Sequence, residues 1–356
     1  MESRSEVVRS RAFDAIRRRT VSVAAAALVK MTPPLPGQIA LTIEPRIQDV
    51  QLSRFAGEHR TFLEQEHQRH GAILFRGFPL RTCDDFHLAV ESLCDQVMTY
   101  KERSSPRTEI SRNVYTSTDY PNDQAIFPHN EHSYAWTFPR KLFFWCEMPP
   151  DSGGATPLGD TRRILARIDP SVRDRFEKLG WMYVRNFGER FGLRWQATFQ
   201  TSDRDVVMKY CEANRMTCEW RSDGNPRTRQ VRPVTIAHDK TGEQLWFNHL
   251  TFFHVSTLPR TVREAMLASY AEADLPNMTY YGDGSPIEAD VLEHLREAYL
   301  SESRAVPWQR GDLIMLDNTI ATHAREPFTG PRRILFAMAD QRTRTEDEWA
   351  RRGERA

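Results

Sequence analysis

The chain has 356 residues, 40% hydrophobic and 10% aromatic, enough to bury a sizeable core as one large domain or two ordinary ones. Lys plus Arg total 49 against 48 Asp plus Glu, a formal charge of +1. No whole-protein field recruits nucleic acid or an anionic membrane, so neither is expected as a partner and a charged ligand must be held locally. The five cysteines show no CxxC spacing, which argues against a disulfide framework or a thiolate zinc site and fits a reducing cytoplasm.

Residues 1–40 read as an N-terminal arm. Within it, Arg17-Arg18-Arg19 precedes an apolar run to Val29 that is too short to span a membrane. The basic region before it is long and contains Glu2, Glu6 and Asp14, so a surface-packed helix or arm is expected instead of a signal peptide. Residues 41–341 read as a single domain. A helical stretch over 52–70 leads to a strand at Gly71–Phe78, and a second helix begins at the Thr82 to Asp85 cap. Lys141–Met148 is an apolar strand, ended by a turn marked by Pro149, Pro150, Gly153 and Gly154. Asp169-Pro170 has the form of an N-cap followed by proline at the first helical position, predicting a helix over 170–178. A strand is expected at Gly180–Asn186.

A mixed insertion occupies about 188–300, with helical pieces at 203–214 and 260–273. The last strong strands are Asp312–Asp317 and Arg333–Met338, joined by a loop containing His323. Residues 342–356 form a charged tail. One β-rich core with a long insertion is more economical than two domains.

The chemistry concentrates in His129-Asn130-Glu131. In an extended segment residues i and i+2 project to the same side, so an imidazole and a carboxylate can reach one point in space. His132 falls on the opposite face and is not expected to join them. An HxE tripeptide alone is a weak signal. It gains weight from His323, delivered after an apolar strand, and from Arg332-Arg333 about ten residues later. Two imidazoles and one carboxylate can occupy one face of Fe(II) and leave the other positions open for an organic acid and dioxygen. An arginine fork can hold that acid through two parallel hydrogen bonds. Arg333 shares a strand face with Leu335 and Ala337 while Arg332 points the other way, so one of the two faces inward.

These features resemble the taurine dioxygenase-like iron(II) and 2-oxoglutarate-dependent oxygenases, with a closer likeness to the branch typified by the syringomycin-pathway aspartyl hydroxylase. The likeness is carried by 71–78, 115–121, 129–134, 153–157, 246–248 and 311–333, within a span of about 21–341. It implies a mainly β fold with flanking helices (α+β), a double-stranded β-helix or jelly roll of the clavaminate synthase-like kind. It also implies His129, Glu131 and His323 as iron ligands, Arg333 as the grip on the distal carboxylate of 2-oxoglutarate, and Thr156 as the hydroxyl assisting it. Glu131 stands where the taurine enzyme has aspartate, which does not threaten iron binding. Its presence argues against halogenation, since related halogenases have a small residue there. Ala337 stands where the taurine enzyme has a second arginine, so alkylsulfonates are poor substrates.

The resemblance implies Fe(II) as cofactor, with 2-oxoglutarate and O2 as co-substrates, and hydroxylation of an unactivated C–H bond. The expected substrate is a small amino-acid-like molecule, free or tethered to a peptidyl carrier protein, in specialised metabolite biosynthesis. A homo-oligomer is compatible with the sequence. Tyr115, Ser117, Thr118, Arg185, Asn186, Asn248 and His254 are the candidate substrate clamp, each with a structural role as the competing reading. Desaturation or cyclisation by the same family and a redox-inactive cupin-type metal enzyme are the alternative functions. The cupin alternative has no need of a buried carboxylate clamp beside its metal.

Overall fold

The computed structural model describes residues 24–99, 102, 107–117, 120–189, 192–346 and 348. Its spine is the strand Thr137–Met148, in which Phe143 and Trp145 face one side and Leu142, Phe144 and Cys146 the other. Both faces are apolar because both are covered. The strand pairs antiparallel with Leu313–Asp317 on one edge and with Arg333–Thr343 on the other. From Leu313–Asp317 the nine-stranded sheet continues through Ala72–Phe75 and Ala40–Pro45 to Val29–Thr32. Beyond Arg333–Thr343 it continues through Val114–Thr116 to Glu109–Ser111. Val29–Thr32 lies in the segment read from sequence as an arm, and it forms the edge of this sheet.

One face packs Trp145, Met315 and Leu335 against Phe55, Leu63, Phe86 and Val90 of the helices Leu52–Glu58, Arg60–His70 and Cys83–Leu93. The last of these starts at the expected cap: Thr82 Oγ1 accepts from the Asp85 amide, and the Asp85 carboxylate accepts from the Thr82 amide. Arg60–His70 ends at Gly71 in the left-handed region (φ 79°), where a Cβ would stand 2.4 Å from Ile320 Cγ2.

The opposite face packs Leu142, Phe144, Ile314, Ile334, Phe336 and Met338 against Leu158 and Ala321 of a three-stranded sheet. Each such large apolar side chain contributes about 1.5–3 kcal/mol on burial. This is the double-stranded β-helix with flanking helices expected from the sequence. A separate four-stranded antiparallel sheet runs in the order Thr217–Trp220, Pro226–Arg232, Trp181–Asn186, Asn277–Tyr281, so that one of its strands precedes the segment read from sequence as an insertion. It shares a core with the helix Ala289–Glu302 and with Tyr134, five residues beyond His129.

The three-stranded sheet positions the site. Ala321–Arg325 lies between Leu158–Asp160 and Ile126–His129, and His323 sits directly opposite His129. His323 is therefore in mid-strand and not in a loop as the sequence suggested. The turn closes earlier: Asp317 Oδ1 accepts from the amides of Thr319 and Ile320, reversing the chain before the strand begins.

Candidate metal centre and its two cavities

His129, Glu131 and His323 are all buried, and one ligand atom from each lies within 4.8 Å of the others. His129 closes its strand, and the chain then turns through Asn130 and Glu131 to His132, which adopts the left-handed conformation (φ 55°). Asn130 and Asn318 hold that turn. Asn130 Nδ2 donates to the carbonyls of Asn318 and Ala321, and Asn318 bonds both backbone groups of Glu131. His129 Nδ1 lies 2.9 Å from the Phe127 carbonyl and must donate to it, leaving Nε2 unprotonated and available to a metal.

Electrostatics favour the ligating forms. Burial lowers the basicity of His129. Burial and the neighbouring His129 hold His323 well below the usual imidazole range. Burial opposes ionisation of Glu131, but the Arg107 guanidinium, followed by His132 and His129, brings its carboxyl below the usual range. Arg107 donates to Glu131 Oε2 at 2.8 Å. His132 is buried and 3.8 Å from Glu131 Oε1, but it is not part of the ligand cluster. A neutral imidazole pair with one carboxylate fits a divalent iron ion with open positions.

Two cavities meet at His129, Ile126 and Arg107. The narrower is lined by Ser117, Thr156, His323, Arg325 and Arg332. Arg332 donates to the Gly154 carbonyl and, at 3.3 Å, to Ser117 Oγ; burial and Arg325 together lower its pKa to about 10. Thr156 Oγ1 accepts from Trp308 Nε1 at 3.0 Å. The wider cavity, about 300 Å³, is walled by Phe127, Phe252, Phe253, Leu258 and Met266 and includes His254.

Arg333 is not in either cavity. It is 48% exposed and pairs with Glu147 at 2.7 Å on the outer face. The cause is strand parity: Ile334, Phe336 and Met338 face the three-stranded sheet, whereas Leu335 and Ala337 face the helices. Arg332 shares the inward parity, so the guanidinium facing the site is that of Arg332. Counting four residues on from Arg332 gives Phe336 in place of Ala337, and neither carries charge.

The candidate substrate clamp divides. Ser117 and His254 line cavities. Tyr115 is fully buried in the core, with its hydroxyl 3.5 Å from Asn113 Oδ1. Arg185 donates to Thr198 Oγ1, Asn186 bonds Ala273, Leu275 and Arg227, and Asn248 bonds Val234 and Leu250. These four have structural partners and line neither cavity. Thr118 lies outside the described residues. Sequence reading missed Arg107, which lines both cavities, Arg325 of the narrow one and His249 of the wide one. No motif signalled Arg107, and alternation turned one arginine of the Arg332-Arg333 pair inward without saying which.

A jelly roll presenting two imidazoles and a carboxylate on its buried face, beside a guanidinium-lined cavity, is the architecture of an iron oxygenase. The family model described as "Taurine catabolism dioxygenase TauD, TfdA family" matches residues 32–339, and the chain belongs to that family. It is an Fe(II)/2-oxoglutarate-dependent dioxygenase, an oxidoreductase with O2 as the second co-substrate. Among curated relatives it is 37% identical to the dapdiamide synthesis protein DdaC of Enterobacter agglomerans over 292 residues, 82% of this chain and 88% of that one. It is 33% identical to a clavaminate synthase-like protein of Arabidopsis thaliana, covering 75% of this chain and 81% of that one. In fold it is similar to PvcB from Pseudomonas aeruginosa, with TM-score 0.52, 16% identity and 89% and 92% of the two chains covered. It is also similar to a 2,4-D dioxygenase homologue from Burkholderia xenovorans, with TM-score 0.51, 16% identity and coverage of 87% and 96%. No helix among the described residues is long and apolar enough to cross a membrane.

Proposed function

We propose that the enzyme hydroxylates an unactivated C–H bond of an amino acid or amino-acid-derived small molecule, free or attached to a peptidyl carrier protein, in specialised metabolite biosynthesis. In this reading His129, Glu131 and His323 hold the iron, and Arg332 with Thr156 holds the distal carboxylate of 2-oxoglutarate. The observation that carries it is the junction of the three ligands with two cavities, one narrow and cationic, the other wide and apolar. The name of the Enterobacter relative, a dapdiamide synthesis protein, supports a biosynthetic role.

Iron and 2-oxoglutarate, when bound, supply oxidation of a C–H bond by dioxygen, with succinate and carbon dioxide as co-products. The chain's own residues bind, orient and dry the reactants. Asn130 and Asn318 fix the turn that carries Glu131. The Phe127 carbonyl orients His129. Phe252 and Phe253 give the wider cavity apolar walls, so that the C–H bond the cavity positions sets selectivity.

The test is anaerobic addition of Fe(II) and 2-oxoglutarate to metal-free protein, followed by oxygen and an amino-acid panel. A visible metal-to-co-substrate charge-transfer band, succinate release and a product 16 mass units heavier are expected. Absence of the band and of succinate above a buffer control would sink the reading.

A further inference from the structure

We infer that His254 and His249 recognise the organic substrate as neutral N–H donors, and that what they take is an uncharged carbonyl group, as of an amide, on an apolar body. This rests on the oxygenase reading above. The two histidines stand at either end of the short helix Leu250–Phe253, and both are buried in the wall of the wide cavity. His254 Nδ1 is 3.1 Å from the Ser256 amide nitrogen and 2.7 Å from Ser256 Oγ. A backbone amide can only donate, so this ring nitrogen carries no proton. Arg296 donates to the same Ser256 Oγ at 2.7 Å, which leaves the hydroxyl to direct its own proton at Nδ1. Burial, then Arg296, lowers the pKa of the ring to about 4, so at neutral pH it is uncharged with its one proton on Nε2. With Nδ1 turned to Ser256, Nε2 is the nitrogen left to a ligand, and it has no hydrogen-bond partner among the described residues.

His249 repeats the arrangement. Its Nδ1 lies 2.6 Å from Ser133 Oγ, which has no other hydrogen-bond partner among the described residues. A buried hydroxyl with one partner donates to it, and the proton of His249 is then on Nε2 as well. The rest of the wall is unsuited to a substrate cation. Phe127, Phe252, Phe253, Leu258 and Met266 are apolar, and Glu131, a metal ligand in this reading, is the one carboxylate among the described residues lining the cavity. An ammonium group placed there unpaired is costly, whereas a carbonyl oxygen can accept from such donors and brings no charge to desolvate. At about 300 Å³ the cavity is at the small end of the range for small-molecule sites. Among amino-acid-derived molecules the wall therefore favours one whose nitrogen is acylated over one with a free ammonium group.

The test uses the full chain loaded with Zn(II) and 2-oxoglutarate, so that binding is read by calorimetry without turnover. The probes are N-isoamylacetamide and N-ethylisoamylamine, which share a skeleton and differ in the carbonyl oxygen and the charge. The acetamide should bind about tenfold more tightly than the amine, or better. His254→Phe keeps a ring and loses the N–H; it should weaken the acetamide several-fold and leave the amine unchanged. His254→Gln, which can return an N–H, should restore part of the loss. A purely structural His254 would lower both affinities by the same factor, which overturns the inference. Equal binding of the two probes by the unmodified protein overturns it too, as does tighter binding of the amine or binding of neither, and none of these results depends on a variant folding. Nitrogen NMR of the unmodified complex should find His254 and His249 protonated at Nε2 alone, and a proton on Nδ1 of His254 would also overturn it. Failure of the unmodified protein to bind 2-oxoglutarate strikes the oxygenase reading instead, so the two can fail separately.

Discussion

Asn318 and Glu131 are joined by two reciprocal hydrogen bonds: the Glu131 amide donates to Asn318 Oδ1 at 2.8 Å, and Asn318 Nδ2 donates to the Glu131 carbonyl at 2.8 Å. The same Nδ2 also reaches the Pro139 carbonyl. One amide side chain from the end of a core strand thus sets the backbone that presents a carboxylate to the metal position. Asn318→Asp keeps the acceptor and loses the donor. It should weaken metal affinity about 10- to 100-fold, as loss of partners that orient ligands does. Chelator competition measures this, and unchanged affinity would count against a positioning role.

Arg332 and Arg333 are adjacent but should behave differently. Arg332→Ala removes one of the guanidinium groups lining the narrow cavity and should weaken 2-oxoglutarate binding by about 3–5 kcal/mol, the cost of breaking a buried ion pair. Arg333→Ala breaks a half-exposed pair with Glu147 and should cost about 1 kcal/mol or less of stability. It should leave co-substrate binding unchanged. Calorimetric titration of both variants decides the assignment, and the opposite ranking would restore Arg333.

Glu131→Gln should abolish iron loading. It should also lower the stability of the metal-free protein by about 3 kcal/mol, because Arg107 loses its carboxylate partner in a buried setting. Denaturant unfolding in the presence of chelator reads the second effect independently of the metal. A midpoint equal to that of the unmodified protein would show that the pair contributes no net stability.

Acid should destabilise the fold in part through His254. Burial, then the nearby Arg296, lowers its pKa to about 4, against an ordinary value of 6.5. The unfolded chain therefore takes the proton first. The stabilisation is complete above about pH 6.5 and is lost as pH falls to 4, amounting to at most about 3 kcal/mol. Thermal unfolding of the metal-free protein across that window should show the loss, and His254→Asn should flatten the slope. An unchanged slope in the variant would assign the pH dependence to other groups.

Much of this was legible in the sequence because local chemistry determined it. The Thr82 and Asp85 cap, the Asp169-Pro170 helix start and the apolar strands all rest on short-range patterns, and each formed where expected. His129, Glu131 and His323 were identified by residue type and order, and the fold brings them together. What was not legible depended on which strand face is covered by which layer. Both faces of Arg333–Thr343 are apolar, so alternation alone did not say which arginine turns toward the three-stranded sheet. Arg107 lay beyond sequence reading because its role comes from the pairing of Val114–Thr116 with Arg333–Thr343, which brings its segment over Phe336. Asn186 and Asn248 look like ligand-binding amides in sequence, yet their donors and acceptors are taken by backbone groups and Arg227.

The direct cross-strand pairing of His129 with His323 also bears on how the molecule is assembled. The two come from distant parts of the chain, and the entropy of closing such a loop must be met before their contact is rewarded. A metal bound between them would act as a clasp, tying the chain between the two strands into the barrel and linking loading to completion of the fold, so chelation should speed global unfolding more than it slows refolding.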